Sequence, residues 1–368
     1  MHMNTSKVAV LRTSPDTVLD DYRRLCELAG IRSALDSSVP TILKDNISWH
    51  LLYPGSNTTP WQLEGTILAL RDAGFSDLVA VHNRTVVTIA DLGDRYNKFG
   101  PVLRRHGVPV KYNFRDEDMR WERYEPKRPL LVLHKIYPEG IYLPDFFIGK
   151  NIVHLPTVKT HSYTVTTGAM KNAFGGLLSA NRHYTHTWIH DTLVDLLSIQ
   201  KEIHPGLFST MDGTTAGSGP GPRTLVPHRK DMILASADQV AIDAVAASMM
   251  GFDPMGIPYI SRATELGLGQ GDPRRIEIVG MPEAASERWN FRVGVNLGTG
   301  AGMLLWRSPL RVFQRLLFRT PLVNVFIFAS ELYHDRWWYP RKGRPAVDRW
   351  LRESPWGRLF AEYPVETE

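Results

Sequence analysis

Short runs rich in Val, Ile and Leu alternate with segments of helical periodicity through about the first 280 residues, and this alternation constrains the fold strongly. The strand-like runs are KVAVL, TILKDNI, DLVAVHN, NIVHLPTV, DMILASA and IEIVG. Helical spacing of apolar residues runs through TVLDDYRRLCELAG, PWQLEGTILALRDAG, IHDTLVDLLSIQKEI and DQVAIDAVAASMMG. Strands and helices in alternation predict an α/β fold, with a mostly parallel sheet flanked by helices.

The character of the chain changes near residue 284, where it becomes basic and rich in aromatic residues. A predicted amphipathic helix there carries a basic stripe at every fourth residue: Arg307, Arg311, Arg315 and Arg319. We therefore expect an α/β domain over residues 1–283 and a C-terminal helical appendage over residues 284–368. The appendage would pack on the domain or on a second copy of the chain, contact a membrane surface, or cover the site.

The stretch from Pro156 to Gly176, PTVKTHSYTVTTGAMKNAFGG, concentrates groups that suit an anion. It holds two lysines, an imidazole and a carboxamide: Lys159, His161, Lys171 and Asn172. It closes on Gly175 and Gly176, which allow the backbone to approach a ligand because they carry no Cβ. Since ligands of parallel sheets bind beyond the carboxyl ends of strands, we expect a binding site after the strand-like NIVHLPTV. A polar loop with surface lysines is the alternative.

Other polar groups follow predicted strands or precede predicted helices. Lys44 and Asn46 come after the strand-like TIL, and Thr58 and Thr59 precede a helix whose N-terminus would attract an anion. A structural cap is the alternative for the threonines. The stretch from Asp212 and Gly213 to Gly221 is predicted to be a Gly-rich loop, either cradling a phosphate or carboxylate or simply flexible.

Three histidines lie three and four residues apart in NRHYTHTWIHD, at His183, His186 and His190. On a helix this spacing would place them on one face, with Asp191 adjacent. Imidazole suits several transition metals, so His183, His186, His190 and Asp191 are the metal-ligand candidates, although no fourth ligand is evident locally. An acid–base or substrate-contact role for one histidine is the other hypothesis.

The signature K-x-H…T…KN-x-x-G resembles that of the domain of unknown function 362 (DUF362) family. Six positions match it: Lys159, His161, Thr167, Lys171, Asn172 and Gly175. LKDNIS, MDGTTAGSGPGP, ASADQVAIDAVAASMMGFDP and ATELGLGQGD resemble further family segments in collinear order. The resemblance adds Thr167 to the substrate-binding candidates and implies a histidine before the helix IHDTLVDLL, where His190 fits. Many members carry ferredoxin-type cysteine clusters, but this chain has only Cys26 and cannot ligate an iron–sulfur cluster alone.

Several classes of protein lack support in the sequence. There is no G-x-x-x-x-G-K-[ST] loop, no strand-linked G-x-G-x-x-G and no G-x-S-x-G, so nucleotidase, dinucleotide-binding and hydrolase-elbow motifs are missing. Lysines do not cluster with aromatic residues, so we expect no nucleic-acid partner. Apolar runs are too short for a signal peptide or a membrane span, which favours a cytoplasmic location.

These patterns favour an enzyme that acts on a small anionic carboxylate or phosphate substrate by Lys and His acid–base chemistry. Isomerisation, epimerisation or elimination would suit it, which are isomerase or lyase reactions. The predicted catalytic residues are His161, Lys159, Lys171 and His190. One alternative is a non-catalytic binding protein for a phosphorylated ligand or cofactor, and another is a metalloenzyme built on the three histidines. No particular cofactor is indicated.

Overall fold

The structure of the chain, a computed structural model, describes residues 6–85, 87–309, 313, 316–317 and 319–365. Its strands are β1 (Ser6–Arg12), β2 (Thr41–Lys44), β3 (Leu78–His82), β4 (Val110–Tyr112), β5 (Trp121–Tyr124), β6 (Ile141–Pro144), β7 (Asn151–His154), β8 (Thr157–His161), β9 (Val165–Thr166), β10 (Leu207–Ser218), β11 (Val226–Ser236) and β12 (Ile276–Val279). The main sheet has the order β12-β1-β11-β10-β7-β2-β3-β4, with β8 paired to β10 and β9 to β8, while β5 and β6 form a separate pair. Parallel pairing runs from β10 through β7, β2 and β3 to β4, and joins β1 to β12. The prediction of a mostly parallel α/β sheet is confirmed.

The helices connect these strands and extend beyond them. They are α1 (Val18–Leu28), α2 (Ile31–Ala34), α3 (Pro60–Asp72), α4 (Ala90–Asn97), α5 (Phe99–Arg105), α6 (Leu133–Ile136), α7 (Gly168–Leu177), α8 (Ile189–Ile203), α9 (Gln239–Met250), α10 (Pro258–Glu265), α11 (Leu297–Arg307), α12 (Val323–Glu331), α13 (Arg344–Glu353) and α14 (Pro355–Glu362). A 3₁₀ helix, Ala180–Trp188, precedes α8, and a π-helical segment, Leu332–Gly343, joins α12 to α13.

Helices cover both faces of the sheet. Alternate residues of a strand point to opposite faces, so Val8 and Val10 of β1 pack with α8 and α9, while Ala9 and Leu11 pack with α1 and α3. The two resulting layers of buried apolar side chains account for the continuous apolar runs in these strands.

Strand β10 occupies residues 212–218 of the stretch that the sequence predicted to be a Gly-rich loop, so the prediction is wrong for that part, and residues 219–221 lie beyond the strand. Its neighbours come from distant parts of the chain: β11 lies on one side, and β7 and β8 lie on the other. A Cβ on Gly213 would lie 3.0 Å from the Met232 carbonyl oxygen, and one on Gly217 would lie 2.7 Å from Leu225. The glycines therefore allow close packing of a buried strand and are not evidence of a mobile loop.

The strand-like run NIVHLPTV forms two strands. Pro156 lies between β7 and β8 and has no N–H to donate to a sheet. Beyond it, β8 leaves β7's path and pairs with β10. Lys159 and His161 therefore lie within a strand, whereas Lys171 and Asn172 lie on α7.

The predicted C-terminal helical region is present, and it packs on the α/β core. Trp356 and Phe360 of α14 are buried in the apolar layer that contains α1 and α3, and the Trp356 and Trp61 ring centroids lie 5.2 Å apart. Of the predicted basic stripe, Arg311 and Arg315 lie outside the described residues. Arg319 donates to the Ile136 carbonyl over 2.8 Å. A domain boundary near residue 284 stays a prediction.

Within the ranges that the structure describes, none of the helices combines the length and apolar character that spanning a membrane requires.

Candidate functional site

Helix α7 begins at a position that only glycine fits. Gly168 has φ +63°, and a Cβ there would collide with the carboxylate of Asp243 on α9. That carboxylate accepts hydrogen bonds from the backbone N–H groups of Ala169 and Met170, the latter over 3.1 Å. Asp243 thus satisfies the first turn of α7 and fixes the helix that carries Lys171 and Asn172.

A cavity of ≈ 550 Å³ lies beside this helix. Its floor comes from the carboxyl ends of parallel strands, with Asp45 and Asn46 after β2, Asn83 after β3 and His161 at the end of β8. The opposite wall comes from the C-terminal region, in segments 296–306 and 326–334. Ligand sites of parallel sheets are found at this edge.

Lys171 presents a cation to the cavity. Among the described residues its ammonium has neither a hydrogen-bond acceptor nor an acidic partner, and its recorded contact is the Phe174 ring, with 5.2 Å between Nζ and the ring centroid. Burial lowers the pKa of Lys171 to about 8, and the nearby Arg182 guanidinium acts in the same direction. A partly buried ammonium with no counter-ion among the described residues is unfavourable, so the position favours an anion from outside the chain.

Two arginines add to this positive charge. Arg182 donates to the carbonyl oxygens of Arg84 over 2.7 Å and Gly175 over 3.3 Å, which are neutral acceptors. Arg223 donates to Ser330 Oγ over 3.0 Å through Nη2, while its Nη1 is buried and finds no hydrogen-bond partner in the part of the chain that the structure describes. Burial lowers the pKa of each guanidinium to about 10, so both remain charged at neutral pH.

The acid in the lining is already paired. In the part of the chain that the structure describes, Asp45 is the only acidic residue lining the cavity. Its carboxylate lies 2.9 Å from His82 Nδ1 and 3.2 Å from Lys44 Nζ. Burial alone would raise the pKa of Asp45, but His82 and Lys44 outweigh it and hold the pKa at about 2. The cavity therefore has a net positive potential.

His161 faces the cavity as a neutral hydrogen-bond donor. The backbone N–H of Tyr163 donates to Nδ1 over 3.1 Å, which requires a lone pair on Nδ1 and places the ring proton on Nε2. Burial, and after it the charge of Lys171, lowers the pKa of His161 well below its ordinary value. The imidazole therefore stays neutral at physiological pH.

His186 has the opposite tautomer. Its Nδ1 lies 2.9 Å from the His183 carbonyl oxygen and must donate to it, so Nε2 carries a lone pair. Its ring stacks on Trp306, with centroids 5.3 Å apart and planes at 19°. Burial lowers the pKa of His186 to about 4. His161 and His186 thus offer a donor and an acceptor to one cavity.

The three spaced histidines do not all line the cavity. His183 and His186 line the cavity from the 3₁₀ helix, whereas His190 lies outside the lining, with its ring stacked 5.9 Å from Tyr259. Asp191 pairs instead with Arg262. No group of three or more His, Cys, Asp or Glu side chains that could hold a metal ion occurs within the described ranges. The predicted single helical face is wrong, because the 3₁₀ helix has three residues per turn and breaks the α-helical register.

Lys159 lies behind the cavity. Its ammonium donates to Asn46 Oδ1 over 2.6 Å, to Thr157 Oγ1 over 3.1 Å and to the Ser56 carbonyl. An ammonium has three donors, and these acceptors use all of them. Asn46 in turn donates to Asn172 Oδ1 over 3.1 Å, so Lys159 supports the cavity floor without lining it.

The predicted site residues fall into two groups, according to whether they line the cavity. Those that line the cavity are His161, Lys171, Asn46, Asn172, Gly175, His183 and His186. Those outside the lining are Lys44, Lys159, Thr58, Thr59, Thr167, Gly176, Asp212, Gly213, His190 and Asp191.

Asp212 is buried in the core and accepts hydrogen bonds from several elements. Its Oδ2 accepts from Thr59 Oγ1 and Trp61 Nε1, each over 2.8 Å, and from the Tyr22 hydroxyl over 3.2 Å, while Oδ1 accepts from Thr214. The carboxylate thereby ties β10 to α1 and α3.

Sequence reasoning missed both arginines of the cavity. Arg182 lies in the stretch singled out for its histidines, and Arg223 follows the run GPGP. The residues of the C-terminal wall, including Trp306 and Tyr333, were also not predicted to line the site. A cation inside an otherwise uncharged Gly-Pro run was the available signal for Arg223.

The fold and the cavity together define an α/β protein with a cationic cavity at the carboxyl edge of its sheet. The chain belongs to the family described as Domain of unknown function (DUF362), whose model matches residues 42–248. That span contains Lys171, Arg182, Arg223 and His161, and it ends before the C-terminal wall.

A thylakoid-associated protein of Synechocystis sp. is 31% identical over 121 residues. The alignment covers 32% of this chain and 37% of that protein, so the chain matches little more than a third of the relative's length. No solved structure matches.

Proposed function

We propose that this protein binds a small anionic molecule, a carboxylate or a phosphate, in the cavity and catalyses proton transfer on it. The observation that carries the proposal is the ammonium of Lys171, which has no acidic partner among the described residues and lies with Arg182 and Arg223 in a cavity whose described acid is already paired. Isomerisation, epimerisation and elimination next to an acid group all begin with such a transfer.

The proposed roles follow from the tautomers. The cations would hold the acid group of the substrate. The Nε2–H of neutral His161 would donate to the oxygen on which negative charge develops, since a neutral imidazole can act as an electrophile. The Nε2 lone pair of His186 would accept the proton from carbon. In an isomerisation or epimerisation His186 would return that proton to carbon, whereas in an elimination a leaving group would depart with the electron pair.

Binding without turnover is the second candidate function. It is favoured by the low pKa values of His161 and His186, because a base that is so reluctant to take a proton is weak near neutral pH. The same cations would then retain a phosphorylated ligand or cofactor.

Calorimetric titration with sulfate and malonate tests the binding step. We expect Lys171→Met to weaken binding about 10- to 100-fold, because a hydrogen bond to a charged group is worth roughly 1.5–3 kcal/mol. Lys201→Met, on the exposed side of α8, is the matched control and should bind as the parent does. Equal affinity in both variants would show that the cavity is not the anion site.

Exchange of carbon-bound protons in D₂O tests the chemical step without knowledge of the substrate. Carboxylates that bind are incubated with the protein, and loss of their α-proton signals is followed by NMR. We expect exchange by the parent protein and about 10²-fold slower exchange by His161→Gln. Lys171-dependent binding without exchange of any bound carboxylate would favour the non-catalytic function.

A further inference from the structure

The cavity has two chemically different sides. The cations and His161 belong to the α/β core, whereas α11 and α12 present Leu305, Trp306 and Phe326. Phe174 of α7 and Tyr333 extend this second side. A small hydrophilic acid would use only the first side and would leave the second in contact with water.

The apolar wall is fixed in place by specific contacts. Asn296 caps α11 through Thr299, and its Nδ2 donates to Thr224 Oγ1 over 2.7 Å. Gly302 lies against the Tyr163 hydroxyl so closely that no Cβ would fit. Arg223 reaches Ser330 at the end of α12. The two sides are therefore parts of one built site.

The size of the cavity agrees with this division. Its ≈ 550 Å³ falls within the range of about 300–1,000 Å³ that holds ligands of drug size. Such ligands owe most of their affinity to apolar contact and their orientation to a few polar groups.

We infer that the ligand is an anion joined to a sizeable apolar body. The acid group binds at Lys171 and Arg182, and the body lies against Leu305, Trp306 and Phe326. This inference rests on the proposed anion binding and adds the class of molecule. It places the selectivity for that class in the C-terminal helices, beyond the span that the family model matches.

A homologous series tests it: ethyl, butyl and octyl phosphate, each below its micellar concentration, titrated calorimetrically against the full chain. A methylene that leaves water on binding raises affinity about fourfold, which is about 0.8 kcal/mol. We expect octyl phosphate to bind at least about 100-fold more tightly than ethyl phosphate. Octyl glucoside, which has the same chain without the charge, should not compete.

Two matched pairs of variants locate the apolar body. Leu305 lines the cavity while its neighbour Leu304 is 57% exposed on the outside of α11. Phe326 and Phe328 are related in the same way on α12, with Phe328 60% exposed. We expect Leu305→Ala and Phe326→Ala to reduce the gain from ethyl to octyl phosphate about tenfold, and Leu304→Ala and Phe328→Ala to preserve it.

The outcomes separate the two proposals. This inference is overturned, and the proposed function stands, if Lys171-dependent binding does not strengthen along the series. The same holds if the gain in affinity from ethyl to octyl phosphate is equal in the two variants of each matched pair. Failure of every alkyl phosphate to bind overturns this inference, and failure of sulfate and malonate to bind as well overturns both. Where the inference holds, displacement of octyl phosphate by phosphatidylglycerol vesicles, but not by phosphatidylcholine vesicles, identifies a bilayer source, and no displacement identifies a freely dissolved ligand.

Discussion

At the scale of residues, Lys159 and Lys171 show how surroundings decide the role of a side chain. Lys159 is fully buried and Lys171 is partly buried, and desolvation lowers the pKa of each. Lys159 finds three acceptors, two of them from Asn46 and Ser56, which lie 113 and 103 residues earlier in the chain. Lys171 finds none among the described residues. Their spacing in the motif could not distinguish them, because the acceptors belong to a distant segment brought in by the sheet.

The pH dependence of anion binding follows from the same residue. Lys171 is an ammonium below its pKa of about 8 and loses its charge above it. We expect the Kd for sulfate to stay constant from pH 6 to 7.5 and to rise about tenfold per pH unit above 8. Calorimetry across this range measures it. Lys171→Arg should move the rise beyond pH 9.5, whereas a midpoint near 6.5 would assign control to a histidine.

At the scale of elements, one side chain of the core binds the C-terminal end of helix α14. Lys98 Nζ donates to the carbonyl oxygens of Phe360, Ala361 and Tyr363 over 2.7, 3.2 and 2.5 Å. These are carbonyls at the C-terminal end of α14, which lack partners within the helix. Together with Trp356, this contact docks α14 on the core.

Loss of the Lys98 ammonium should release this helix. We expect Lys98→Met to lower the free energy of unfolding by about 2 kcal/mol, the order expected when hydrogen bonds to one charged group are lost. Urea unfolding measures the change, and limited proteolysis should show new cleavage in α13 or α14. An exposed control, Lys201→Met, should stay within about 0.5 kcal/mol of the parent. Unchanged stability and cleavage in Lys98→Met would mean that Trp356 and Phe360 suffice.

At the scale of the whole molecule, the layers could be predicted and the connections between them could not. Apolar runs identified β2 and β3, which are buried on both faces, and the central part of β1, whereas β12 is an edge strand with Glu277 exposed. Strand β10 was not predicted because its glycines and threonines suit the close packing of neighbouring strands. Those neighbours come from distant parts of the chain, and no local sequence pattern reveals them. The cavity was predicted in part for the same reason. Lys171 and His161 lie in a recognisable motif, but Arg223 and the C-terminal wall reach the site only through tertiary folding.

Buried neutral histidines make the fold sensitive to acid. Burial lowers the pKa of His154 to about 3 and that of His204 to about 4. Between pH 6.5 and those values the unfolded chain binds protons that the folded chain does not, so stability is present above pH 6.5 and is lost as pH falls. Each such histidine should contribute a loss of about 1.4 kcal/mol per pH unit.

The variant His204→Asn tests this linkage. His204 Nδ1 lies 2.7 Å from the Lys150 carbonyl, and an asparagine amide can still donate to it. Between pH 6 and 5, we expect the slope of unfolding free energy against pH to decrease by about 1.4 kcal/mol per pH unit, which corresponds to one proton. His134→Asn, at an exposed position, should leave the slope unchanged. An equal slope in parent and His204→Asn would place the acid sensitivity elsewhere.

The stacking of Trp306 on His186 has an optical consequence. An indole in the cavity wall changes its emission when water leaves the cavity or when the adjacent imidazole gains a proton. The difference in fluorescence between the parent and Trp306→Phe isolates this indole from the other tryptophans. The molecule thus carries a built-in reporter, with which unlabelled chemical libraries can be screened for occupants before any reaction is known.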